Sequence, residues 1–298
     1  MTQANTVIVS SAPPPPSPPP LHKPTIFFSG VRIKAAKTLI SPNETSIFLD
    51  WDDTCIASDW MRKGGLSTRT LDEGYVNPAF LEAAELISVE LESLLLSARE
   101  LGRVFIVTNG TDGWVEMSCN LFMPKLLPLV TSFPIISAQD RYKAYYTSPV
   151  DWKRMTFRDI LDASARPGRK LRNLISIGDG MAEYIAIQSL KEYSDRDAMI
   201  PNIIKSVKLQ ESPTPEQLAE ELRMLGQMFP KLVHHSTDAD LKVSVSYYSP
   251  LPESDSDSDS EPETKKPEIT EPVVTTTAVA ETLMSGNEEA LEFFFGEP

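Results

Sequence analysis

The chain has 298 residues, which is enough for one substantial α/β core with additional terminal segments. Its 25 prolines exceed the usual content of a globular protein, and its hydrophobic fraction of 41% lies slightly below the usual range. The formal net charge is −14, but residues 250–298 carry 13 acidic and 2 lysine side chains, so −11 of this charge belongs to the C-terminal segment. An acidic chain without a basic stripe is a poor candidate for binding nucleic acid.

Cysteine content and hydropathy favour an intracellular protein. Cys55 and Cys119 are the two cysteines of the sequence, so a disulfide framework is excluded and a reducing compartment is favoured. The sequence does not open with a charged region followed by an apolar run of signal-peptide length. No segment approaches the roughly 18–20 apolar residues that span a bilayer. We therefore expect a soluble protein without a membrane span, in the cytoplasm or in the nucleus.

Both ends of the chain have compositions that predict disordered arms. Residues 1–25 include a nearly continuous proline run between Pro13 and Pro20, which favours polyproline II over a folded core. Residues 249–298 contain alternating serine and aspartate from Ser254 to Ser260. Either arm could instead dock a partner, the first in an SH3- or WW-type groove and the second after phosphorylation of its serines.

Residues 26–248 alternate short apolar runs with segments of helical period. In chain order, the pattern predicts strands at 46–49, 104–107, 134–137, 174–177 and 203–209, and helices at 77–101, 114–127, 151–165, 181–190 and 215–229. Asn77-Pro78 starts the first of these helices, and a Thr214-x-x-Gln217 capping box starts the last. This alternation predicts one α/β domain, a three-layer α/β/α sandwich around a mostly parallel, Rossmann-like sheet.

Polar residues follow several of the predicted strands, where ligands bind in parallel sheets. These residues are Asp50, Asp52, Asp53 and Thr54 after the first strand, Thr108 and Asn109 after the second, and Gly178, Asp179 and Glu183 after the fourth. Lys153 lies near the start of the helix that leads into the fourth strand. We expect these side chains to share one crevice.

The chemistry of this set favours phosphoryl transfer. Several carboxylates in one pocket repel each other, and Mg²⁺ is the natural counter-ion because it takes oxygen ligands and shares them with a phosphate. One carboxylate can attack phosphorus, and a second can protonate the leaving oxygen and then activate water. Hydroxyl, amide and ammonium groups can hold the remaining phosphoryl oxygens.

These motifs resemble those of the haloacid dehalogenase-like (HAD) hydrolase superfamily over residues 46–209. Asp50-Trp51-Asp52-Asp53-Thr54 resembles its Asp-x-Asp-x-Thr/Val motif, Thr108-Asn109 its second motif, Lys153 its third, and Gly178-Asp179 with Glu183 its fourth. The stretch from Thr108 to Pro124 is also similar to a group of HAD-like proteins from protists and algae, which identifies no substrate.

The resemblance implies a HAD-like fold and a role for each matched residue. Asp50 would be the nucleophile and Asp52 the general acid/base, and Thr108, Asn109 and Lys153 would bind the phosphoryl group. Asp50, Asp179 and the backbone carbonyl of Asp52 would ligate Mg²⁺. Asp53, Thr54, Gly178 and Glu183 would support the site. Asp52 favours phosphoryl transfer, because haloacid dehalogenases lack this second acid. Asp53 departs from the glycine of many members, Glu183 departs from their aspartate, and Lys170 competes with Lys153 for the third motif.

The spacing of the motifs leaves no room for the cap domain that many members of this superfamily carry. This predicts an open site, with residues 58–75 as a flap, and favours a phosphoprotein or another bulky phosphomonoester as substrate. We therefore expect a magnesium-dependent phosphatase that works through an aspartyl-phosphate. The alternative is a HAD-like interaction module whose arms recruit partners and whose pocket is not used for catalysis. An idle pocket would be expected to lose Asp50, Asp52 or Asp179, and all three are present.

Four other features have structural interpretations. Trp51 and Trp114 are predicted to be packing residues, and Cys55 a small buried hydrophobe. The His234-His235 pair has no obvious third metal ligand and is predicted to lie on the surface.

Overall fold

The apolar runs of the sequence form the strands of one sheet. The computed structural model of the protein describes residues 24–30, 39–67, 69–70, 76–164, 171–192, 197 and 200–247. Within these residues the strands are β1 (Pro24–Gly30), β2 (Thr45–Leu49), β3 (Arg103–Thr108), β4 (Ile135–Ser137), β5 (Asn173–Gly178), β6 (Ile203–Lys208) and β7 (Ala239–Tyr247). Strand β1 begins inside the arm predicted at 1–25; the rest of that arm and the predicted tail at 249–298 lie outside the described residues.

The strand order places β5 at the centre of the sheet, with β2 beside it. The order is β1-β7-β6-β5-β2-β3-β4, with β1 antiparallel to β7 and every other neighbouring pair parallel. Every residue of β2 and of β5 is buried, as expected for parallel strands covered on both faces. After β2 the chain builds the sheet in one direction through β3 and β4, and from β5 onward in the other. The carboxyl ends of β5, β2 and β3 therefore meet at a topological switch point, where α/β proteins bind ligands.

Helices cover both faces of the sheet and confirm the predicted three-layer α/β/α sandwich. They are α1 (Ser58–Lys63), α2 (Pro78–Leu101), α3 (Trp114–Phe122), α4 (Leu127–Val130), α5 (Ala138–Tyr142), α6 (Pro149–Ser164), α7 (Met181–Lys191) and α8 (Pro215–His234). Helices α2 and α8 pack together on one face, and α5, α6 and α7 pack together on the other. On the second face, the Phe48 ring of β2 lies 4.6 Å from the Phe157 ring of α6. No helix in the described part of the chain is long and apolar enough to cross a membrane.

Two helix ends differ from the sequence prediction, and proline is involved in both. The helix predicted at 114–127 is wrong beyond Phe122, where α3 ends and a 3-10 turn begins at Pro124, which has no N–H to continue the α-helical bonds. Helix α8 continues to His234, past its predicted end at Phe229, with Pro230 inside the helix. Because Leu232 and Val233 are completely buried, packing holds the last turn of α8 in place despite Pro230. The capping box of Thr214 and Gln217 at the start of α8 is confirmed.

Candidate active site

The acidic motif forms a tight turn at the carboxyl end of β2. The Asp50 N–H donates to the Ile177 carbonyl at 3.0 Å, which extends the pairing of β2 with β5 by one residue. The chain then turns, and the Cys55 N–H donates to the Trp51 carbonyl at 2.7 Å. The turn therefore places both carboxylates at the edge of the sheet. Asp50 is 8% exposed there, and Asp52 is half-buried.

Lys153 connects the Asp50 carboxylate, which follows β2, with the Glu183 carboxylate in α7. Its Nζ atom lies 2.6 Å from Asp50 Oδ1, 2.6 Å from Glu183 Oε1 and 2.5 Å from the Val107 carbonyl oxygen. An ammonium group has three N–H donors, so these three acceptors use all of them. Lys153 is completely buried, and its contacts join α6 to β2, α7 and β3. Lys170, the alternative for this role, lies outside the described residues.

The carboxylates outnumber this single buried cation. Burial and the charge of Glu183 raise the pKa of Asp50 to about 8, although Lys153 opposes the shift. Burial, followed by the charges of Asp50 and Glu183, raises the pKa of Asp179 well above its usual value. Burial lowers the pKa of Lys153, but Asp50 and Glu183 outweigh it and raise that pKa overall. The site therefore favours the binding of additional positive charge or of protons.

Asp52 is held from two sides. The Trp114 indole Nε1–H donates to Asp52 Oδ1 at 2.9 Å, and the Thr108 hydroxyl donates to Asp52 Oδ2 at 3.3 Å. The Thr108 oxygen in turn accepts the Gly110 N–H at 2.8 Å. Trp51 and Trp114 are both buried, so the prediction that they are packing residues is confirmed. The hydrogen bond from Trp114 to Asp52 was not predicted, because its two residues lie in separate segments of the chain.

Asp179 is positioned by two residues on opposite sides of β5. The Thr54 hydroxyl donates to Asp179 Oδ1 at 3.3 Å and accepts the Asp179 N–H at 3.0 Å. The Lys208 ammonium donates to the Asp179 carbonyl and forms a 2.9 Å ion pair with Glu211. Lys208 was not predicted, although it is the last residue of β6 and the strand-end pattern that identified the other groups applies to it equally.

Asp53 is explained by the geometry of the turn. Its φ angle is +50°, in the left-handed region that favours glycine and tolerates aspartate. Its Oδ1 atom accepts the Asp59 N–H in the first turn of α1 at 2.9 Å, as a helix-capping side chain does. Burial raises the pKa of Asp53 to about 7. Aspartate therefore suits this position because it tolerates the left-handed backbone and also caps α1.

Glycines make room for Glu183. A Cβ atom on Gly178 would lie 2.7 Å from Glu183 Cγ, and one on Gly180 would lie 2.7 Å from Glu183 Oε2. The same Oε2 atom is buried without a hydrogen-bond partner. The glutamate side chain is thus accommodated by the glycines around it, and Glu183 reaches Lys153 with Oε1.

The residues at this edge of the sheet fit a magnesium ion. In the described residues, no three side chains of His, Cys, Asp or Glu already converge as a ready-made metal cage. Mg²⁺ commonly uses one or two carboxylates together with waters and substrate oxygens, so such a cage is not required. The unpartnered Glu183 Oε2 and the raised pKa values of Asp50 and Asp179 indicate that ionisation of all three acids is costly unless another cation binds.

The remaining predicted residues have mixed outcomes. Asn109 follows Thr108 at the same edge, and its side-chain Oδ1 is buried without a partner. Cys55 is completely buried, as predicted. The prediction of a surface pair at His234-His235 is wrong, because His234 Nδ1 accepts the Ile40 N–H at 3.2 Å and His235 is only 7% exposed. In the predicted flap at 58–75, residues 58–63 form α1, while 68 and 71–75 lie outside the described residues.

Comparison of the chain with protein family models, with curated proteins and with solved structures gives no match. Its functional interpretation therefore depends on the residues and contacts described above. These bring together the Asp50 carboxylate, a second acid, Asp52, and the buried Lys153 ammonium group at one switch point of the sheet.

Proposed function

We propose that the protein is a magnesium-dependent phosphatase of the HAD type that hydrolyses phosphomonoesters through an aspartyl-phosphate on Asp50. The contact of Lys153 with both Asp50 and Glu183 at 2.6 Å carries this proposal. In this contact a fully buried cation lies against Asp50, the predicted nucleophile. Asp50 precedes the predicted general acid, Asp52, by two residues and follows β2, which pairs with β5. A structural ion pair alone would not explain why Asp52 and Asp179 lie at the same edge.

In the first step, an oxygen of Asp50 attacks the phosphorus atom. Lys153 bonds Oδ1, so we assign the attack to Oδ2. The new bond from Oδ2 to phosphorus forms as the bond from phosphorus to the leaving oxygen breaks. Asp52 in its protonated form gives its proton to that oxygen, and burial, which raises the pKa of Asp52, favours this form.

In the second step, water cleaves the aspartyl-phosphate. Asp52, now ionised, accepts a proton from the water as the water oxygen bonds to phosphorus, and the bond from phosphorus to Asp50 Oδ2 breaks. Inorganic phosphate leaves, and both carboxyl groups return to their starting states. Thr108 and Asn109 are assigned to hydrogen bonds with the non-bridging phosphoryl oxygens. Lys153, whose three N–H groups already bond protein oxygens, is assigned to stabilise their negative charge.

A bound Mg²⁺ would be held by the Asp50 and Asp179 carboxylates and the Asp52 backbone carbonyl, and Thr54 and Lys208 orient Asp179. It would neutralise part of the carboxylate charge and polarise the phosphoryl oxygens.

The proposed substrates are phosphoproteins or other bulky phosphomonoesters. In the described residues, the helical segments between β2 and α2 are α1 and residues 69–70, and the helices between β3 and β5 pack within the sandwich. This part of the chain contains no cap domain over the carboxyl ends of the strands. Asp52 is half-buried rather than enclosed, which supports access by a large substrate.

Hydrolysis of p-nitrophenyl phosphate tests the proposal. The wild-type chain is expected to release p-nitrophenol with Mg²⁺ and to stop when EDTA removes the metal. Asp50→Asn is expected to lower kcat by at least about 10³-fold, because the amide is a poor nucleophile. Asp112→Asn is the matched control, since Asp112 is exposed and follows the neighbouring strand β3.

Two results would contradict a phosphatase. One is equal activity of the wild-type and Asp50→Asn proteins. The other is the absence of hydrolysis by the wild-type protein over a panel of phosphometabolites and phosphopeptides. The second result would favour the interaction module, whose predicted arms lie almost entirely outside the described residues.

A further inference from the structure

Two tryptophans tie the acidic turn to helix α3. The Trp114 Nε1–H donates to Asp52 Oδ1 at 2.9 Å, and the Trp51 Nε1–H donates to Ser118 Oγ at 2.9 Å. The Ser118 hydroxyl donates to the Trp114 carbonyl at 2.7 Å. Because Trp51 and Asp52 are consecutive, these bonds close a ring, which we call the indole bridge (Trp51, Asp52, Trp114 and Ser118).

The hydrogen-bond donors of the indole bridge are shielded from water. Trp51 and Ser118 are completely buried, and Trp114 is 6% exposed. Hydrogen bonds of this kind hold their geometry because no solvent molecule competes for the donor. The bridge therefore determines how the Asp52 carboxyl group is rotated.

The backbone around Trp114 is shaped to bring the indole to Asp52. Gly113 has a φ angle of +82° and turns the chain into α3 immediately before Trp114. A Cβ atom on Gly110 would lie 2.6 Å from Trp114 Cδ1. Any larger residue at position 110 would push the indole away from the carboxylate, so Gly110 and Trp114 act as a pair.

The donor chemistry distinguishes the two oxygens of Asp52. An indole N–H donates and never accepts, so Trp114 occupies Oδ1 whether or not the carboxyl group is protonated. Thr108 faces Oδ2 at 3.3 Å, and a hydroxyl group can donate to an ionised oxygen or accept from a protonated one. Oδ2 is therefore the oxygen that can gain and lose a proton without losing its partner.

We propose that Trp114 is a positioning residue that fixes Asp52 Oδ1 and directs Oδ2 to the reacting oxygens. This rests on the proposed phosphatase function. In the first step the proton on Oδ2 passes to the leaving oxygen as its bond to phosphorus breaks. In the second step Oδ2 takes a proton from the attacking water.

The test compares two leaving groups. p-Nitrophenolate departs without a proton, whereas the alkoxide of an alkyl phosphate requires one, so loss of proton donation affects the alkyl ester selectively. For Trp114→Phe we expect kcat/KM to fall about 100-fold with O-phosphoserine and less than about 5-fold with p-nitrophenyl phosphate. The ratio kcat/KM reports the steps up to leaving-group departure, so slow hydrolysis of the aspartyl-phosphate does not mask the difference.

Two further variants provide the reference values for this comparison. Asp52→Ala is expected to show the largest difference between the two substrates. Val115→Ala removes buried volume from the same helix without touching Asp52 and is expected to lower both kcat/KM values by the same small factor. An equal loss for both substrates in Trp114→Phe, or no loss for either, overturns the positioning role.

A second measurement does not depend on catalysis. The sequence has 4 tryptophans, and the indole N–H signal of Trp114 is the one that Trp114→Phe removes from a ¹H–¹⁵N spectrum of the full chain. Asp52→Ala is expected to shift this signal, because the indole loses its acceptor, and an unmoved signal contradicts the bridge. If the signal shifts but the chain hydrolyses no phosphomonoester, the proposed function and the positioning role are refuted. The hydrogen bond between Trp114 and Asp52 is still supported in that case.

Discussion

At the residue scale, Lys153 supplies the counter-charge for the buried carboxylates of Asp50 and Glu183. Its ammonium is completely buried and lies within hydrogen-bond distance of two carboxylates and one carbonyl. A buried ion pair adds little net stability compared with an apolar pair, but removal of one partner leaves the other charge without compensation. The contribution of Lys153 is therefore best measured together with one of its partners.

Replacement of Lys153 should show this dependence. Lys153→Met is expected to destabilise the fold by about 3–5 kcal/mol, because Asp50 and Glu183 lose their counter-charge. The double variant Lys153→Met with Glu183→Gln is expected to regain part of that loss, since one uncompensated carboxylate is removed as well. Urea denaturation of the four proteins in the cycle measures both effects. Additive losses would show that Lys153 and Glu183 are not coupled.

The turn residue Asp53 allows a second prediction at this scale. Asp53→Ala is expected to lower stability by about 1 kcal/mol, because α1 loses its capping acceptor and alanine is less tolerant of the positive φ angle. Asp53→Asn keeps an acceptor oxygen and the tolerance for a left-handed backbone, so its loss is expected to be smaller. Chemical denaturation compares the two, and identical losses would argue against the capping role.

At the element scale, α8 combines a predictable apolar face with buried charges that no pattern predicts. The Lys205 ammonium of β6 is buried and donates to the Val233 carbonyl in the last turn of α8 at 2.8 Å, where a positive charge is favourable. Near the other end of the helix, Glu221 is completely buried and its Oε1 atom accepts the Gln210 N–H at 3.0 Å. Its Oε2 atom has no partner. Packing of α8 buries the Glu221 carboxyl group, so ionisation of this group lowers the free energy of unfolding, and the size of this cost depends on pH.

Glu221→Gln should reveal this cost. Burial raises the pKa of Glu221 from 4.5 to about 8, so its stabilising contribution is complete below about pH 4.5 and is lost as the pH rises through 8. Glutamine keeps the acceptor for Gln210 but never ionises. We expect Glu221→Gln to unfold with the wild-type free energy at pH 5 and to be more stable by about 2 kcal/mol at pH 9.

The neighbouring residue Glu220 supplies the control for this experiment. Its hydrogen bond to Arg223 lowers the pKa of Glu220, so its contribution is present at neutral pH and is lost as the pH falls. Glu220→Gln is therefore expected to show the opposite dependence, with a small loss at pH 7 that disappears in acid. A pH-independent difference for Glu221→Gln would contradict the assignment of its buried charge.

At the scale of the whole molecule, the topology concentrates negative charge at the switch point between β2 and β5. Asp50 and Asp179 follow these two adjacent strands, so pairing of the strands forces the two acids together. In the folded chain this repulsion is a cost, and it is absent from the unfolded chain, where the acids are far apart in solution. A divalent cation that binds the folded form should therefore stabilise the entire domain.

Thermal unfolding with added metal tests this expectation without any assay of activity. Mg²⁺ at about 100 times its dissociation constant is expected to stabilise the fold by about 2.7 kcal/mol, which raises Tm by at least about 5 °C in a domain of this size. Asp179→Asn is expected to reduce this shift strongly, whereas Asp112→Asn should retain it. An equal shift with K⁺ at matched ionic strength would indicate general screening instead of a specific site.

Much of this fold was predictable from local patterns. The apolar runs of β2, β3 and β5 and the helical period of α2 follow from burial, and the capping residue Asn77 of α2 is confirmed. Strand β7 was not predicted, although Leu241, Val243 and Val245 alternate with more exposed residues in the way a half-buried strand does. Its pairing with β1 joins residues from opposite ends of the domain, and no local pattern specifies such a partner.

The sequence by itself determined the fold class and the group of residues at the carboxyl ends of the strands, because strand period, caps and strand-end acids are local features. Tertiary structure alone decided which atoms meet. The three contacts of Lys153, the capping of α1 by Asp53 and the bond from Trp114 to Asp52 each join distant segments, or depend on the backbone angles of a turn. A hydrogen bond requires two atoms to lie about 3 Å apart, and only the folded sheet brings these atoms to that distance.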